Sequence, residues 1–261
     1  MSPAALAPKW EAHAAERIAL QPGSIHLWAA ETARLQSAEP LLSAEERASL
    51  ARQRAPARRA MALGGRAGLR MLLRAYTGIA NRELRFRAGA RGKPMLDNRL
   101  DGGELCFNYS LSGGRALFAF AWNRQLGVDL EVAPRRIAAE QLARRKLGAE
   151  ERRAWRAFPP RERDAAMLAC WTRKEAYGKA LGVGIRYFLH RAPVCAHLDS
   201  PAWSCGVRGQ FAPSEDARVL HGLQIATPFA AAAALVYDGD ALAANDDGGA
   251  SLQCRLLRST K

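Results

Sequence analysis

Gly127-Val128-Asp129-Leu130-Glu131 and Trp171-Thr172-Arg173-Lys174-Glu175-Ala176-Tyr177-Gly178-Lys179 are the two stretches from which the fold of this chain is read. The first belongs to a strand-like run from Leu126 to Val132, closed by Pro134. Side chains alternate along a strand, so Asp129 and Glu131 project to the same side. Two adjacent carboxylates repel unless a cation sits between them, and a hard divalent ion such as Mg2+ takes oxygen ligands of this kind. Two solvated acids at a strand end are the plainer alternative. The second stretch lies in a helical pattern running from about Glu162 to Leu181 and stopping at Gly182. Glu175 and Lys179 are one turn apart on one face, with Trp171 one turn before them. An ordinary surface ion pair beside a core tryptophan is the alternative here. The density of the segment argues for more. The chain uses Lys at only six positions (9, 93, 146, 174, 179 and 261), and two of them fall in this turn and a half. A compact ammonium does work that the planar arginine fork does not.

Working outward, residues 136–158 are mostly helical and stop at Pro159-Pro160. Strands follow on the C-terminal side and end with Ala230–Tyr237. Upstream, Leu105–Tyr109 and Ala116–Trp122 read as strands joined at Ser112-Gly113-Gly114. Ile25–Ala29 is a shorter strand. Ser43, with Glu46 three residues on, marks a helix start. Ala57 to Tyr76 is helical, with Met61, Leu69, Leu72 and Leu73 on an apolar side and Arg59, Arg66, Arg70 and Arg74 recurring at helical spacing. Thr77-Gly78 is its stop. Residues 1–23 read as irregular, and the Gly/Asp-rich stretch after Ala244 as loose.

The 261 residues suit one large domain or two small ones, and 49% hydrophobic residues are enough for a core. The longest apolar run, Phe229–Tyr237, is far too short to span a membrane, and Met1–Leu20 lacks the apolar core of a secretory signal. Five cysteines without a CxxC pair speak against a disulfide framework and a zinc knuckle, so a reduced, cytoplasmic chain is expected. Thirty-nine basic against 25 acidic residues leave +14, which suits anionic partners. A basic nucleic-acid-binding protein is one such reading. It calls for basic tracts interleaved with aromatics, and at 7% aromatic residues no such tract is present. No GxxxxGK[ST] phosphate loop is present either.

A third segment completes the set: Gly92-Lys93-Pro94, then Phe107-Asn108-Tyr109-Ser110-Leu111-Ser112. In this order the motifs resemble those of the 4′-phosphopantetheinyl transferases, specifically the larger two-subdomain, surfactin-type group. That family shows a GKP turn, an FNxSHS segment, a G(V/I)DxE strand and a W(S/T)xKE(A/S)xxK helix. The likeness covers roughly residues 43–190, and Gly65-Arg66-Ala-Gly-Leu-Arg70 is similar to the family's N-terminal helix. It implies an α+β chain built as a pseudo-dimer. The N-terminal subdomain spans 1–124. The C-terminal subdomain, with the metal-binding and catalytic residues, spans 125–244, and a loose tail follows over 245–261. Each subdomain is a small antiparallel sheet on a long helix, with the active site in the cleft between them.

The implied activity moves the phosphopantetheine arm of coenzyme A to a serine of an apo acyl or peptidyl carrier protein and releases adenosine 3′,5′-bisphosphate. By the same resemblance Asp129, Glu131 and Glu175 hold Mg2+. Glu175 also takes the serine proton, and Lys179 steadies the leaving phosphate. Lys93, Ser110 and Lys179 contact coenzyme A, and Arg66 pairs with its 3′-phosphate. The implied protein is a cytoplasmic monomer with no nucleic-acid or membrane partner, serving fatty-acid, polyketide or nonribosomal-peptide carriers. One position departs from the pattern: Leu111 stands where the family has His. A leucine cannot donate to a phosphate, so either coenzyme A binding is weaker, or Arg87 or Arg91 compensates, or the chain is a catalytically weakened relative that only binds carrier proteins.

Overall fold

The structure is a computed structural model. It describes residues 10–13, 17–89, 92–132, 138–182, 202–207, 218–224, 232–238 and 252–257. These fall into two compact units, one drawn from 8–87, 94–123 and 242–261, the other from 88–93 and 124–241.

The first unit is a five-stranded sheet in the order β1-β11-β2-β6-β5: β1 (Trp10–His13), β11 (Leu252–Leu257), β2 (Ile25–Glu31), β6 (Arg115–Trp122) and β5 (Leu105–Ser112). The hairpin expected at Ser112-Gly113-Gly114 joins β5 to β6, with Ser112 opposite Arg115. The helix expected over Ala57–Tyr76 is α2 (Pro56–Thr77), with Pro in its first turn and Gly78 as its left-handed cap. Its Leu69, Leu72, Leu73 and Tyr76 pack with Trp28, Phe107, Phe118 and Phe120 in one core. Burial raises the Tyr76 phenol above its ordinary value, and its oxygen accepts from Trp28 Nε1 at 2.8 Å. Ser43 caps α1 (Ala44–Ala51) with a reciprocal Ser43–Glu46 box. The Glu46 carboxylate also receives Nε of the buried Arg70 at 2.6 Å, which ties α1 to α2. A short ribbon of β3 (Phe86–Ala88) and β4 (Pro94–Leu96) lies between α2 and β5 in the chain.

Three expectations are corrected here. Residues 245–261 are not a loose tail throughout, because Leu252–Leu257 enters the sheet between β1 and β2. Residues 1–23 are not wholly irregular, because Trp10–His13 pairs with that strand. Both pairings of β11 are parallel, so this sheet is mixed rather than antiparallel. The cause is common to all three: a strand whose partners lie far away in sequence gains its hydrogen bonds only in the folded chain, and nothing local announces it.

The second unit is a four-stranded antiparallel sheet, β7-β10-β9-β8: β7 (Leu126–Glu131), β10 (Ala232–Asp238), β9 (Arg218–Gln224) and β8 (Ala202–Val207). On it lies α5 (Arg163–Leu181), capped by left-handed Gly182. The segment before Pro159 forms two short helices, α3 (Ala139–Lys146) and α4 (Ala149–Ala157). Met167, Cys170, Ala176, Tyr177 and Ala180 of α5 share a core with Ala143, Leu147, Trp155, Ala234 and Val236. Cys106 is buried, and Cys170 is disulfide-bonded. The expectation of a reduced chain therefore does not hold at Cys170. Among the described residues no helix is long and apolar enough to cross a membrane.

Gly127 explains how closely β7 and α5 approach. A Cβ at this position would fall 2.2 Å from the Ala176 carbonyl oxygen and 2.3 Å from the Ala180 nitrogen, both helix backbone. Backbone cannot rotate aside as a side chain can, so Gly127→Ala must push β7 and α5 apart. The expected cost is about 3 kcal/mol, or a fall in Tm of roughly 6–10 °C. A melting curve within experimental scatter of the parent would show that the two elements are not in backbone contact.

Candidate functional site

The β7–α5 contact sets the positions of four of the residues expected to carry the chemistry. Two residues beyond Gly127, Asp129 is only 6% exposed, while Glu131 at the strand end is half-buried. Their partners across β10 are the small Ala234 and Ala232. Over residues 171–179 of α5, Thr172, Arg173, Lys174, Ala176, Tyr177 and Gly178 are buried, and the half-open positions are Trp171, Glu175 and Lys179. These form one stripe at four-residue spacing. Lys179 Nζ donates to Asp129 Oδ1 at 2.8 Å and to the Val128 carbonyl at 3.0 Å.

Glu175 is the electrostatic centre of this group. Burial pushes its pKa up to about 7, helped by the negative charge of Asp129 and, less, of Glu131. The positive charges of Lys179 and Lys146 pull in the other direction without winning. Three carboxyl groups thus crowd one another, and their repulsion is only partly compensated. This donor chemistry fits a hard divalent cation. Among the described residues, however, no three His, Cys, Asp or Glu side chains already form a ligand shell.

Lys93 sits in the same unit but not in this group. Its ammonium donates to the Leu126 carbonyl at 3.0 Å, Gln125 Oε1 at 3.3 Å and the Ala180 carbonyl at 3.5 Å. It therefore fastens the Gly92-Lys93-Pro94 turn to the start of β7 and the last turn of α5. Arg66 and Ser110 belong to the other unit. Arg66 donates to the Glu46 carbonyl at 2.9 Å and to Ser49 Oγ at 3.3 Å. It also hydrogen-bonds the half-buried Tyr109, whose phenol is raised by desolvation. Ser110 is buried on β5 opposite Leu117. Leu111 fills a notch in α2: a Cβ on Gly65 would fall 2.7 Å from either of its methyl carbons. Arg87, one of the two arginines weighed as replacements for the missing His, is bonded to Glu104 at 3.2 Å. Arg91, the other, lies outside the described residues.

The sequence did not single out Glu151. Its carboxylate forms a 2.7 Å ion pair with Lys174, and both side chains are almost wholly inaccessible. The same oxygen accepts from the Gly148 nitrogen at 2.8 Å, closing the first turn of α4. One carboxylate thereby pins α4 to α5 at the residue beside Glu175. Its spacing from Gly148 was the available signal, a capping pattern without a Ser or Thr cap.

Three comparisons with known sequences bear on this site. Residues 125–234 match the model of the 4′-phosphopantetheinyl transferase superfamily (ACPS). The 4′-phosphopantetheinyl transferase HetI of Nostoc sp. strain PCC 7120 is 35% identical over 165 residues, which is 62% of this chain and 70% of HetI. The protein slr0495 of Synechocystis sp. strain PCC 6803, provisionally named for the same activity, is 31% identical over 147 residues, 56% of this chain and 59% of its own length.

Two outcomes follow from the electrostatics. A carboxyl whose pKa is higher folded than unfolded holds its proton more tightly in the folded state. Glu175 therefore leaves the fold unpenalised below pH 4.5 and destabilises it progressively as the pH rises through 7. In EDTA, Glu175→Gln should raise Tm at pH 8 by about 3–5 °C, allowing for solvent screening, and leave it unchanged near pH 4. An equal shift at both pH values would place the effect elsewhere. Lys174→Met leaves Glu151 buried with its charge uncompensated and should cost about 3–5 kcal/mol by denaturant unfolding. Lys174→Met combined with Glu151→Leu should recover most of that loss.

Proposed function

The chain belongs to the 4′-phosphopantetheinyl transferase superfamily, and from that premise we propose that it works in the manner of the surfactin-type group, with Mg2+ and with release of adenosine 3′,5′-bisphosphate. It is a transferase that acts on carrier proteins. The observation that carries the finer reading is the stripe of α5 beside β7, where Glu175, Asp129 and Glu131 gather negative charge and Lys179 lies within bonding distance of Asp129.

In this reading Asp129, Glu131 and Glu175 hold the cation, which when bound neutralises the pyrophosphate of coenzyme A. The carrier serine is oriented beside Glu175, whose carboxylate accepts the proton of the serine Oγ as that oxygen forms its bond to the near phosphorus. The bond from that phosphorus to the bridging oxygen breaks, and the electron pair leaves with adenosine 3′,5′-bisphosphate. Lys179 donates to the leaving phosphate. Arg66 and Ser110 contact coenzyme A, Arg66 through its 3′-phosphate. The turn held by Lys93 borders the same substrate. Leu111, seated against Gly65, supplies packing where a donor would otherwise stand. Coenzyme A and apo carrier proteins of the fatty-acid, polyketide or nonribosomal-peptide kind place the reaction in the cytoplasm, and a chain that carries both units acts as a monomer.

Intact-mass spectrometry of an apo carrier protein incubated with the chain, coenzyme A and a divalent ion tests this. A gain of about 340 Da that vanishes with EDTA and with Glu175→Ala is the expected result. A gain unaffected by Glu175→Ala would move the chemistry off α5. No gain on carriers of all three kinds would favour the weakened, carrier-binding relative.

A further inference from the structure

We infer that Lys146 is a substrate-contacting residue on the nucleophile's side of the site, where it receives an anionic group of the incoming carrier protein. The inference rests on the transferase reading above. Lys146 is the last residue of α3, and its ammonium lies 5.0 Å from the centroid of the Trp171 ring. Between residues 171 and 179 of α5 the half-open positions are Trp171, Glu175 and Lys179. At the rise of an α-helix they stand about 6 Å apart along its axis, so Glu175 is flanked by one cation at each end of the stripe. Lys146 is close enough for its charge to act on the Glu175 carboxyl.

The reaction gives these two ends different duties. In phosphoryl transfer the attacking and leaving oxygens lie roughly in line on opposite sides of the phosphorus. With Glu175 at the serine oxygen and Lys179 at the leaving phosphate, the Trp171 end of the stripe faces the polypeptide that carries the serine. Lys146 is the ammonium at that end.

Its state in the free chain fits a role toward an incoming partner. Three neighbouring arginines of α3 and α4 are engaged within the protein: Arg144 and Arg156 both pair with Glu140, and Arg152 reaches the Arg144 carbonyl. Among the described residues no carboxylate pairs with Lys146, which rests on an aromatic face instead. A cation–π contact at a half-open site is worth only about 0.5–1 kcal/mol, so a carboxylate brought by a partner displaces it readily. Favourable charge at the C-terminal end of α3 accounts for a basic residue there. It does not account for a lysine held against the tryptophan beside Glu175 in a chain that otherwise uses arginine.

The test is steady-state kinetics with an acidic apo acyl carrier protein, varying the carrier at saturating coenzyme A and then the reverse. Lys146→Gln should raise KM for the carrier about fivefold, the worth of a half-exposed ion pair, and leave KM for coenzyme A within twofold. Lys146→Glu should raise the carrier KM further, and Lys146→Arg should restore most of it. Raising the salt should weaken carrier binding more steeply for the parent than for Lys146→Gln. Thermal melts of all three variants should overlay the parent, because the side chain is half-open. A rise in KM for coenzyme A instead would make Lys146 a phosphate contact and overturn the inference, as would an unchanged carrier KM in both Lys146→Gln and Lys146→Glu. Failure of the parent chain to modify any carrier would sink the transferase reading itself, a different result from intact transfer with an unmoved KM.

Discussion

The contact of Gly127 with the backbone of α5 is the constraint on which the rest of the site depends. A strand and a helix ordinarily meet through their side chains. Here the strand presses against the helix main chain, because the Cβ that any other residue would add has no room. Sheet periodicity then sets the consequences. Asp129, two residues on, comes beside Lys179, and Glu131, four residues on, comes within electrostatic reach of Glu175. The glycine and the two acids of one short motif are thus parts of one device. Closeness is what the glycine contributes, and the acids use it.

Such a site is expensive to hold together. Glu175 is partly buried among like charges, and the fold carries that repulsion at neutral pH. The cost is sustainable because the scaffold under it is rigid. Lys174, next to Glu175, is buried in an ion pair with Glu151, and Glu151 in turn closes the first turn of α4. A buried pair of this kind adds little net stability over an apolar one, since both charges must be stripped of water. It does discriminate between arrangements, because any displacement of α4 along α5 leaves two buried charges unpaired. Lys93 acts similarly at the other end, where its ammonium bridges the start of β7 and the last carbonyls of α5. Two of the scarce lysines, Lys93 and Lys174, thus tie elements of this unit together, while Lys179 lies on the half-open stripe of α5 and Lys146 rests against the tryptophan at its other end.

The other unit shows a related economy around α2. Glu46 caps α1, receives the buried Arg70, and through its backbone carbonyl receives Arg66. Arg66 is held from three directions, by the Glu46 carbonyl, Ser49 and Tyr109 of β5, which fixes the orientation of its guanidinium. Leu111 belongs to the same packing. Its methyl groups occupy the space left by Gly65, so the residue that departs from the family pattern has a structural role of its own.

Much of this was legible in the amino-acid sequence, and the division follows from range. The helices α2 and α5, their glycine stops, the Ser43 box, the β5–β6 hairpin and the strand that bears Asp129 are all declared by residues within a few positions of one another. Periodicity, capping and turn chemistry are local physics. The motifs Gly127–Glu131 and Trp171–Lys179 likewise carried the family and the candidate acids. Other features required the folded chain. The entry of Leu252–Leu257 between β1 and β2, the ion pair of Glu151 with Lys174, and the turn of Lys93 toward protein carbonyls each join segments far apart in sequence. Whether a lysine meets a phosphate, a tryptophan ring or a buried carboxylate depends on what the chain brings next to it, and that is decided by packing rather than by spacing.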